Sequence, residues 1–235
     1  MTTEEGKLLI SGLEIQAVRK DIKNIHVGVY PPNGRVRIAV PTGTTDEKIK
    51  LVIISKYKWI RKQREKFLNQ KRETPREYVT GESHYFMGQR YILNVITGSY
   101  RGRIEITGRK RMAMYVSPHA NIEDRKIVME RFYRACLSKE LDKAVSKWEE
   151  RLGVQANEIR IRKMKTKWGS ANIKNKRIWI SLELAKKSPS CIEYVVVHEL
   201  THFIERKHDD KFKSIMDSAL PNWRLVRDEL NDFIY

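Results

Sequence analysis

The sequence predicts an α+β fold, and three observations support that prediction. Short apolar segments punctuated by glycine and proline fill residues 1–118, a long amphipathic stripe follows, and two more strand segments precede further helices. At 235 residues the chain is long enough to bury a core without a disulfide or a structural metal. We expect a boundary near Pro118, between a strand-rich N-terminal part (1–118) and a more helical part with a small sheet (119–235).

The N-terminal part is predicted to contain two groups of short strands. The first is a hairpin of residues 24–30 and 35–40, because two prolines, an asparagine and a glycine form a strong turn signal at 31–34. The second group lies at residues 83–87, 90–96, 103–107 and 112–116, separated by glycines. Closely spaced strands of this kind are typical of a meander, so mostly antiparallel pairing is expected.

A basic amphipathic helix is predicted between these two groups of strands. Thr44 and Glu47 have capping-box spacing, and apolar residues then recur at helical intervals as far as Phe67. The net charge of +18 indicates attraction to polyanions without identifying which one. Nucleic acid is therefore a candidate partner, with a solvated surface as the alternative. The contact residues would lie on the exposed face of this helix: Arg61, Lys62, Arg64 and Lys66.

The cysteines, the N-terminal residues and the lengths of the apolar stretches all bear on cellular location. Cys136 and Cys191 each lie inside an apolar segment rather than in a short-spaced pair, which favours buried free thiols. The N-terminal residues do not resemble a secretory signal, and the uncharged apolar stretches are far shorter than the roughly 20 residues that span a bilayer. We expect a cytoplasmic protein with no membrane partner.

The C-terminal part is predicted to begin with a long helix. It should run from about Asn121 to Leu152, because apolar residues form one stripe and Gly153 is well placed to end it. Two short strands follow at residues 158–163 and 177–181. Ser188 and Pro189 then occupy the preferred cap and first-turn positions of another helix.

That helix contains the segment His-Glu-Leu-Thr-His at residues 198–202. Histidines four residues apart lie one above the other on a helix, so His198 and His202 can both reach one zinc ion at about 2.0–2.1 Å. Glu199 projects beside the metal, where its carboxylate can take a proton from a water whose pKa zinc lowers toward about 7. Three preceding valines predict a buried helix, in which unpartnered histidines would be unfavourable. The segment therefore predicts a zinc-dependent peptidase with Glu199 as general base.

A third protein ligand is expected, because catalytic zinc usually has three and an open fourth position. Glu205 lies three residues past His202 on the same helix face, about 4.5 Å further along the axis, so it would point past the metal. His208 can reach the site if the helix ends near Arg206 and Lys207 and the chain turns back. Asp209 or Asp210 would then cap a helix at 211–220. We favour His208 as the ligand and Glu205 as a supporting or surface group.

The C-terminal part resembles the YgjP-like zinc metallopeptidases, which are similar in their catalytic part to the SprT and Spartan proteases. The resemblance rests on residues 165–170, 194–202, His208, Phe212 and 220–223, and it is looser over 81–82 and 88–91. It implies a zincin-like helical metallopeptidase core with a small sheet. It also implies His198, His202 and His208 as zinc ligands and Glu199 as the base.

In zincins of this kind a strand beside the metal helix pairs with an extended substrate. Residues 168–172 or 177–181 are the candidate strands, and the expected substrate-binding residues are Trp168, Gly169 and Ser170. The group that stabilises the oxyanion of the reaction is not distinguished by the sequence. Its candidates are Lys165, Lys167 and Tyr194.

The chain departs from this family pattern at two positions. Ala171 stands where members often have Cys, so that position is not expected to be catalytic. Lys207 stands where an Asn commonly precedes the third histidine, which removes the residue best suited to a left-handed turn.

A second class of function stays open, that of a nucleic-acid-associated protein. It would be either a protease recruited to DNA through its basic helix or a binding module whose metal site is not catalytic. A structural zinc site is normally closed by four protein ligands, often cysteines, and no fourth ligand is evident near the motif. This argues against a non-catalytic site, whereas recruitment to DNA rests on analogy with the Spartan proteases.

Overall fold

A computed structural model describes residues 4–30, 33–68, 76–98, 101–164 and 166–232. It confirms the α+β class and divides the chain into two units, Met1–Lys71 and Arg72–Tyr235. The division does not coincide with the predicted boundary near Pro118. The reason is that strands before Pro118 share a core with the helix after it, since Leu93 and Met114 are buried in the same cluster as Leu137.

The first unit is a four-stranded sheet followed by two helices. Its strands pair in the order β1-β2-β4-β3, and the two helices close one face of the sheet, with Ile15, Ile38 and Ile53 fully buried between them. The elements are β1 (Glu4–Ile10), β2 (Leu13–Lys20), β3 (His26–Tyr30), β4 (Arg35–Pro41), α1 (Asp46–Ser55) and α2 (Tyr57–Leu68).

The predicted hairpin of this unit is confirmed as β3 and β4, which pair antiparallel. A second hairpin, β1 and β2, is an addition to the prediction. Its turn consists of Ser11 and Gly12, both at positive φ, and two such residues between strands favour a tight hairpin. Together with the alternation of apolar residues along β2, this dipeptide is a signal from which the hairpin could have been predicted.

The predicted basic helix differs from the structure in two ways. It is two helices interrupted at Lys56, and its cap is Thr45 rather than Thr44. The hydroxyl of Thr45 accepts a hydrogen bond from the backbone N–H of Lys48 (3.4 Å), whereas Thr44 is buried and its carbonyl accepts one from Arg19 (3.3 Å). Thr44 is thus held by the sheet and the helix starts one residue later.

The basic face of α2 is less uniform than its sequence indicates. Arg61 and Lys62 are exposed. Arg64 is half-buried, and its Cγ lies 3.0 Å from the position that a Cβ would take on Gly34. The side chain of Lys66 lies outside the described residues. Of the three predicted contact residues whose side chains are described, two are therefore exposed.

The second unit begins with a sheet in the order β5-β6-β8-β7. The predicted meander is wrong in one pairing, because β8 is parallel to β6 and lies between β6 and β7. Most of β8 is buried, which suits a central strand, whereas β7 is mostly exposed and lies at the edge. These strands are β5 (Ser83–Phe86), β6 (Gln89–Thr97), β7 (Arg103–Ile106) and β8 (Arg111–Val116).

A 31-residue helix, α3 (Ile122–Leu152), follows this sheet and confirms the predicted long helix. Asn121 and Asp124 form a reciprocal capping box, with both bonds at 3.0 Å. Gly153 ends the helix in the left-handed conformation, as predicted. The apolar stripe of α3 is buried in the core of the unit.

A small sheet and three helices complete the second unit. The sheet has the order β10-β11-β9, with β10 antiparallel and β9 parallel to the central β11. A 3₁₀ helix (Leu182–Lys186) leads from it to the helices. The elements are β9 (Glu158–Arg162), β10 (Gly169–Asn172), β11 (Arg177–Ser181), α4 (Pro189–Thr201), α5 (Asp210–Ala219) and α6 (Trp223–Asp232).

Two further expectations concern the thiols and the membrane. Both cysteines are free, Cys191 fully buried and Cys136 half-buried, and burial raises the pKa of each thiol. Among the described residues no helix has both the length and the apolar character needed to cross a bilayer.

Candidate metal centre

Helix α4 begins where the sequence predicts. The hydroxyl of Ser188 accepts a hydrogen bond from the backbone N–H of Cys191 (3.4 Å), and Pro189 occupies the first turn. The residues Val195, Val196 and Val197 are buried in the core that α4 shares with α3. The polar residues that follow, His198 and Glu199, therefore lie on a helix that is packed into this core.

Helix α4 ends at Thr201, earlier than the predicted end near Arg206. From there the backbone makes i→i+3 bonds, from Phe203 N–H to the Leu200 carbonyl (3.0 Å) and from Ile204 N–H to the Thr201 carbonyl (2.9 Å). No residue between 202 and 209 has a positive φ. The turn therefore does not require a residue in the left-handed conformation, so the absence of an Asn at position 207 does not prevent it. Because α4 ends at Thr201, Glu205 does not continue its helix face.

Three histidines converge after this turn. His198, His202 and His208 each offer a ring nitrogen, and these atoms all lie within 4.8 Å of one another. The Nε2 atoms of His198 and His208 are 3.0 Å apart. Nδ1 of His202 lies 3.2 Å from the carbonyl oxygen of Glu205. A hydrogen bond there would place the proton on Nδ1 and leave Nε2 able to bind a metal ion, an arrangement common in metal sites.

The chain returns to the site through a short capped turn. Asp209 caps α5, its carboxylate accepting a hydrogen bond from the backbone N–H of Phe212 (3.1 Å), as predicted. This fixes the position of His208, the residue immediately before the cap. The side chain of His208 is exposed and those of His198 and His202 are half-buried, so the cluster has one side open to solvent.

The chemistry of these three side chains fits a metal ion. Burial, with the neighbouring histidines, lowers the pKa of His198 to about 3, and burial lowers that of His202. Both imidazoles are then neutral at pH 7, the form that binds metals. The buried Nδ1 of His198 has no hydrogen-bond partner among the described residues. Three imidazoles with one side open to solvent match the set of protein ligands that is typical of catalytic zinc.

Phe212 supports all three imidazoles. Its ring centroid lies 5.1 Å from that of His198, 4.9 Å from that of His202 and 4.7 Å from that of His208. The phenyl ring is 2% exposed. The sequence marks Phe212 only as a position of family resemblance, and its place beneath the cluster follows from the cap at Asp209.

The carboxyl group of Glu199 is buried beside strand β10. Burial raises its pKa to about 7, partly opposed by a hydrogen bond from the backbone of Ala171 and by the charge of Lys167. A Cβ on Gly169 would lie 2.5 Å from Oε1 of Glu199 and 2.7 Å from its Cγ. Strand β10 can approach Glu199 this closely only because residue 169 has no side chain.

The two candidate substrate strands, β10 and β11, occupy different positions in the small sheet. β11 is paired on both sides, so it has no free edge, whereas β10 lies at the edge of the described sheet. Trp168 and Gly169 line a cavity of about 270 Å³ together with His198 and Glu199. Ser170 lies further along β10 and is not part of that described lining. Nζ of Lys187 lies 5.3 Å from the ring centroid of Trp168.

The oxyanion candidates differ in position. Lys167 and Tyr194 both line the cavity beside Glu199, and Lys165 lies outside the described residues. Arg227 of α6 also lines the cavity, a position that the sequence did not predict. The periodic apolar residues of α6, with Leu230 buried and Val226 half-buried, are the signal that could have predicted that helix.

A family model matches most of the chain. The family model described as the YgjP-like metallopeptidase domain matches residues 23–233. Among solved structures, the metallopeptidase zymogen abylysin of Pyrococcus abyssi is 20% identical with a TM-score of 0.35, over 40% of this chain and 90% of that one. The metallopeptidase zymogen jannalysin of Methanocaldococcus jannaschii is 20% identical with a TM-score of 0.36, over 39% and 87%. No curated protein sequence matches the chain.

Proposed function

The chain belongs to the YgjP-like metallopeptidase family, and on that premise we propose that it hydrolyses peptide bonds with zinc held by His198, His202 and His208 and with Glu199 as general base. One observation carries the proposal. Three imidazole nitrogens lie within 4.8 Å of one another at the end of the helix that also bears the buried Glu199.

Zinc is the metal that suits this ligand set best. Carboxylate-rich sites favour magnesium, calcium or manganese, whereas imidazole suits zinc, copper, iron and nickel. Three protein ligands with an open position are typical of catalytic zinc, which needs no redox partner for hydrolysis. The described cluster contains three imidazoles and opens to solvent at His208.

The reaction divides between the metal and the carboxylate. A bound zinc ion supplies Lewis acidity, which lowers the pKa of a water toward about 7 and polarises the scissile carbonyl. The carboxylate of Glu199 takes a proton from the attacking water and delivers it to the leaving amine. A pKa of about 7 suits both steps, because the group must accept and release a proton near neutral pH.

Strand β10 is the proposed support for an extended substrate. Its free edge offers backbone groups for pairing with a peptide, and Trp168, Gly169 and Ser170 are the proposed contact residues. Gly169 has a second role, since it allows the strand to lie against Glu199. Lys167 or Tyr194 is the proposed stabiliser of the oxyanion, because both line the same cavity as Glu199.

The decisive experiment is Glu199→Gln. Glutamine keeps the size of the side chain and removes its ability to accept a proton, so peptidase activity should fall by about 10² to 10⁴. Zinc content and thermal stability should remain close to those of the parent, because Glu199 is not a proposed ligand. Activity would be followed with a broad peptide mixture and mass spectrometry. Equal cleavage by the variant and the parent would rule out Glu199 as the base.

A further inference from the structure

The cavity beside Glu199 has a wall that the proposed reaction does not use. Besides the catalytic groups, its lining includes Arg227, Leu230 and Asn231, all from helix α6. Lys167 lines it from the segment before β10. The cavity therefore adjoins the reacting groups and carries two cationic side chains.

The positive charge of this cavity is only partly offset. Glu199 is its one acidic lining residue among those described, and it is assigned to proton transfer. The Nε and Nη2 atoms of Arg227 share a single oxygen of Asp228, at 3.3 and 3.2 Å. This contact uses two of the five N–H donors of the guanidinium group. Lys167 is exposed and lies close enough to Glu199 to interact with its charge.

The ring of Trp223 lies beside Arg227 at the cavity. The guanidinium carbon lies 5.3 Å from the centroid of the Trp223 ring, which is itself 7% exposed. Tyr194, which also lines the cavity, stacks on the same ring with a centroid distance of 6.2 Å and an interplanar angle of 2°. Trp223 thus contacts both residues and covers one side of each, which reduces the ordering that ligand binding would require.

We propose that this cavity binds a carboxylate of the peptide substrate, with Arg227 as its charge partner. The inference rests on the proposed function and adds a substrate class to it, peptides with an acidic group near the scissile bond. The planar guanidinium fork matches a carboxylate in geometry as well as in charge. The carboxylate belongs either to an Asp or Glu side chain or to the C-terminus of the substrate.

The test measures discrimination between matched peptides. One set has Glu or Gln at each position around the scissile bond, with an amidated C-terminus. The other has a neutral sequence ending in a free acid or an amide. We expect kcat/KM to be about tenfold higher for the acidic member of at least one set, as half-exposed Arg227 limits the gain from a charged hydrogen bond. The set that responds identifies the source of the carboxylate.

Three variants assign the effect to Arg227. Arg227→Gln should remove the discrimination and Arg227→Lys should keep part of it, since Lys retains a point charge. Arg224→Gln is the matched control, because Arg224 also stacks on Trp223 but pairs with Asp217 and is not part of the described cavity lining. Its discrimination should equal that of the parent. Equal cleavage of acidic and neutral peptides in both sets would overturn the proposal.

Two outcomes separate this inference from other roles. If Arg227→Gln lowered kcat equally for every peptide and left the preference intact, Arg227 would act on the reacting carbonyl and the carboxylate site would be wrong. Binding of labelled peptides to zinc-loaded Glu199→Gln protein, measured by fluorescence anisotropy, gives an independent result. The variant could bind the acidic peptide more tightly while the parent protein cleaves none of the peptides. That result would support the carboxylate site and overturn the proposed peptidase reaction.

Discussion

The two units contain sheets with the same strand arrangement but very different polar residues. In each sheet two antiparallel hairpins join through their second strands, β2 parallel to β4 and β6 parallel to β8. The sheet of the first unit is followed by two short helices with charge on the surface, whereas that of the second is followed by α3 and later by α4, near whose C-terminal end the three histidines converge. The same arrangement of strands thus accompanies a charged surface in one unit and a candidate metal centre in the other.

The difference shows where a polar residue indicates function. In the first unit the buried polar residue among those described is Thr44, whose backbone carbonyl accepts a hydrogen bond from Arg19. In the second unit Glu199 is buried and the histidines beside it converge. Burial of a charged group is unfavourable without a partner, whereas exposed charge needs no explanation. Substitutions at the site should therefore have large and specific effects, and those on α2 small ones.

The largest effect is expected for the third ligand. His208→Ala should weaken zinc binding by about 100-fold or more, beyond the 10- to 100-fold typical of residues that support a ligand. Glu205→Ala is the matched control, because it leaves the backbone carbonyl near Nδ1 of His202 in place. Zinc content would be measured after dialysis against graded chelator concentrations. The reverse order of the two variants would make Glu205 the ligand.

The next effect concerns the contact between β10 and Glu199. In Gly169→Ala the new Cβ would meet Oε1 at 2.5 Å, so the carboxylate or the strand must move. Since a displacement of about 1 Å can reduce a rate by about 10²-fold, we expect a loss of that size in kcat with zinc content unchanged. Zinc analysis and circular dichroism would check that the protein is intact. An alanine variant as active as the parent would show that this contact is not needed for catalysis.

A smaller effect on zinc is expected from the residue beneath the cluster. Phe212→Ala should destabilise the fold by about 3–5 kcal/mol and also weaken zinc binding by about tenfold, because the ring contacts all three imidazoles. Leu137→Ala is the control, a deletion in the same core away from the histidines. It should lower the melting temperature and leave zinc affinity unchanged. Unchanged zinc affinity in Phe212→Ala would show that Phe212 contributes to core packing and does not position the histidines.

The predictable part of this molecule is the part set by local sequence. The start of α4 at Ser188, the ends of α3 at Asn121 and Gly153 and the cap at Asp209 each follow from residues within a few positions. The spacing of His198, Glu199 and His202 likewise follows from one helical turn. The α+β class was predictable for the same reason, since strand and helix periodicities are local.

The remainder depends on contacts between residues far apart in the chain. The parallel pairing of β6 with β8 reflects which strand can be buried on both faces, which no single strand reveals. The approach of Gly169 to Glu199 and the position of Arg227 depend on how a strand and a later helix pack around α4. The early end of α4 results from a tightened turn without a glycine to signal it.

The smallest effect is expected for the basic surface of the first unit. Arg61 and Lys62 are exposed, and Nη2 of Arg61 lies 3.5 Å from Oε1 of Glu65 in an ion pair. If both contact phosphates, neutralising them to Gln should reduce the slope of log affinity against log salt by about 2. Lys7→Gln with Lys50→Gln removes the same charge elsewhere in the unit and should leave the slope unchanged.

The two assays together decide what the surface does. Because the proposed chemistry lies within the second unit, cleavage of a free peptide by the Arg61→Gln, Lys62→Gln protein should stay within about twofold of the parent. A reduced slope with intact cleavage would make α2 a nucleic-acid contact that is separate from catalysis. A slope that falls equally in the control would indicate attraction by the overall charge of +18 rather than by this helix. No measurable DNA binding near physiological ionic strength would indicate that the charged face of α2 is a solvated surface, which is the simplest explanation of exposed basic residues.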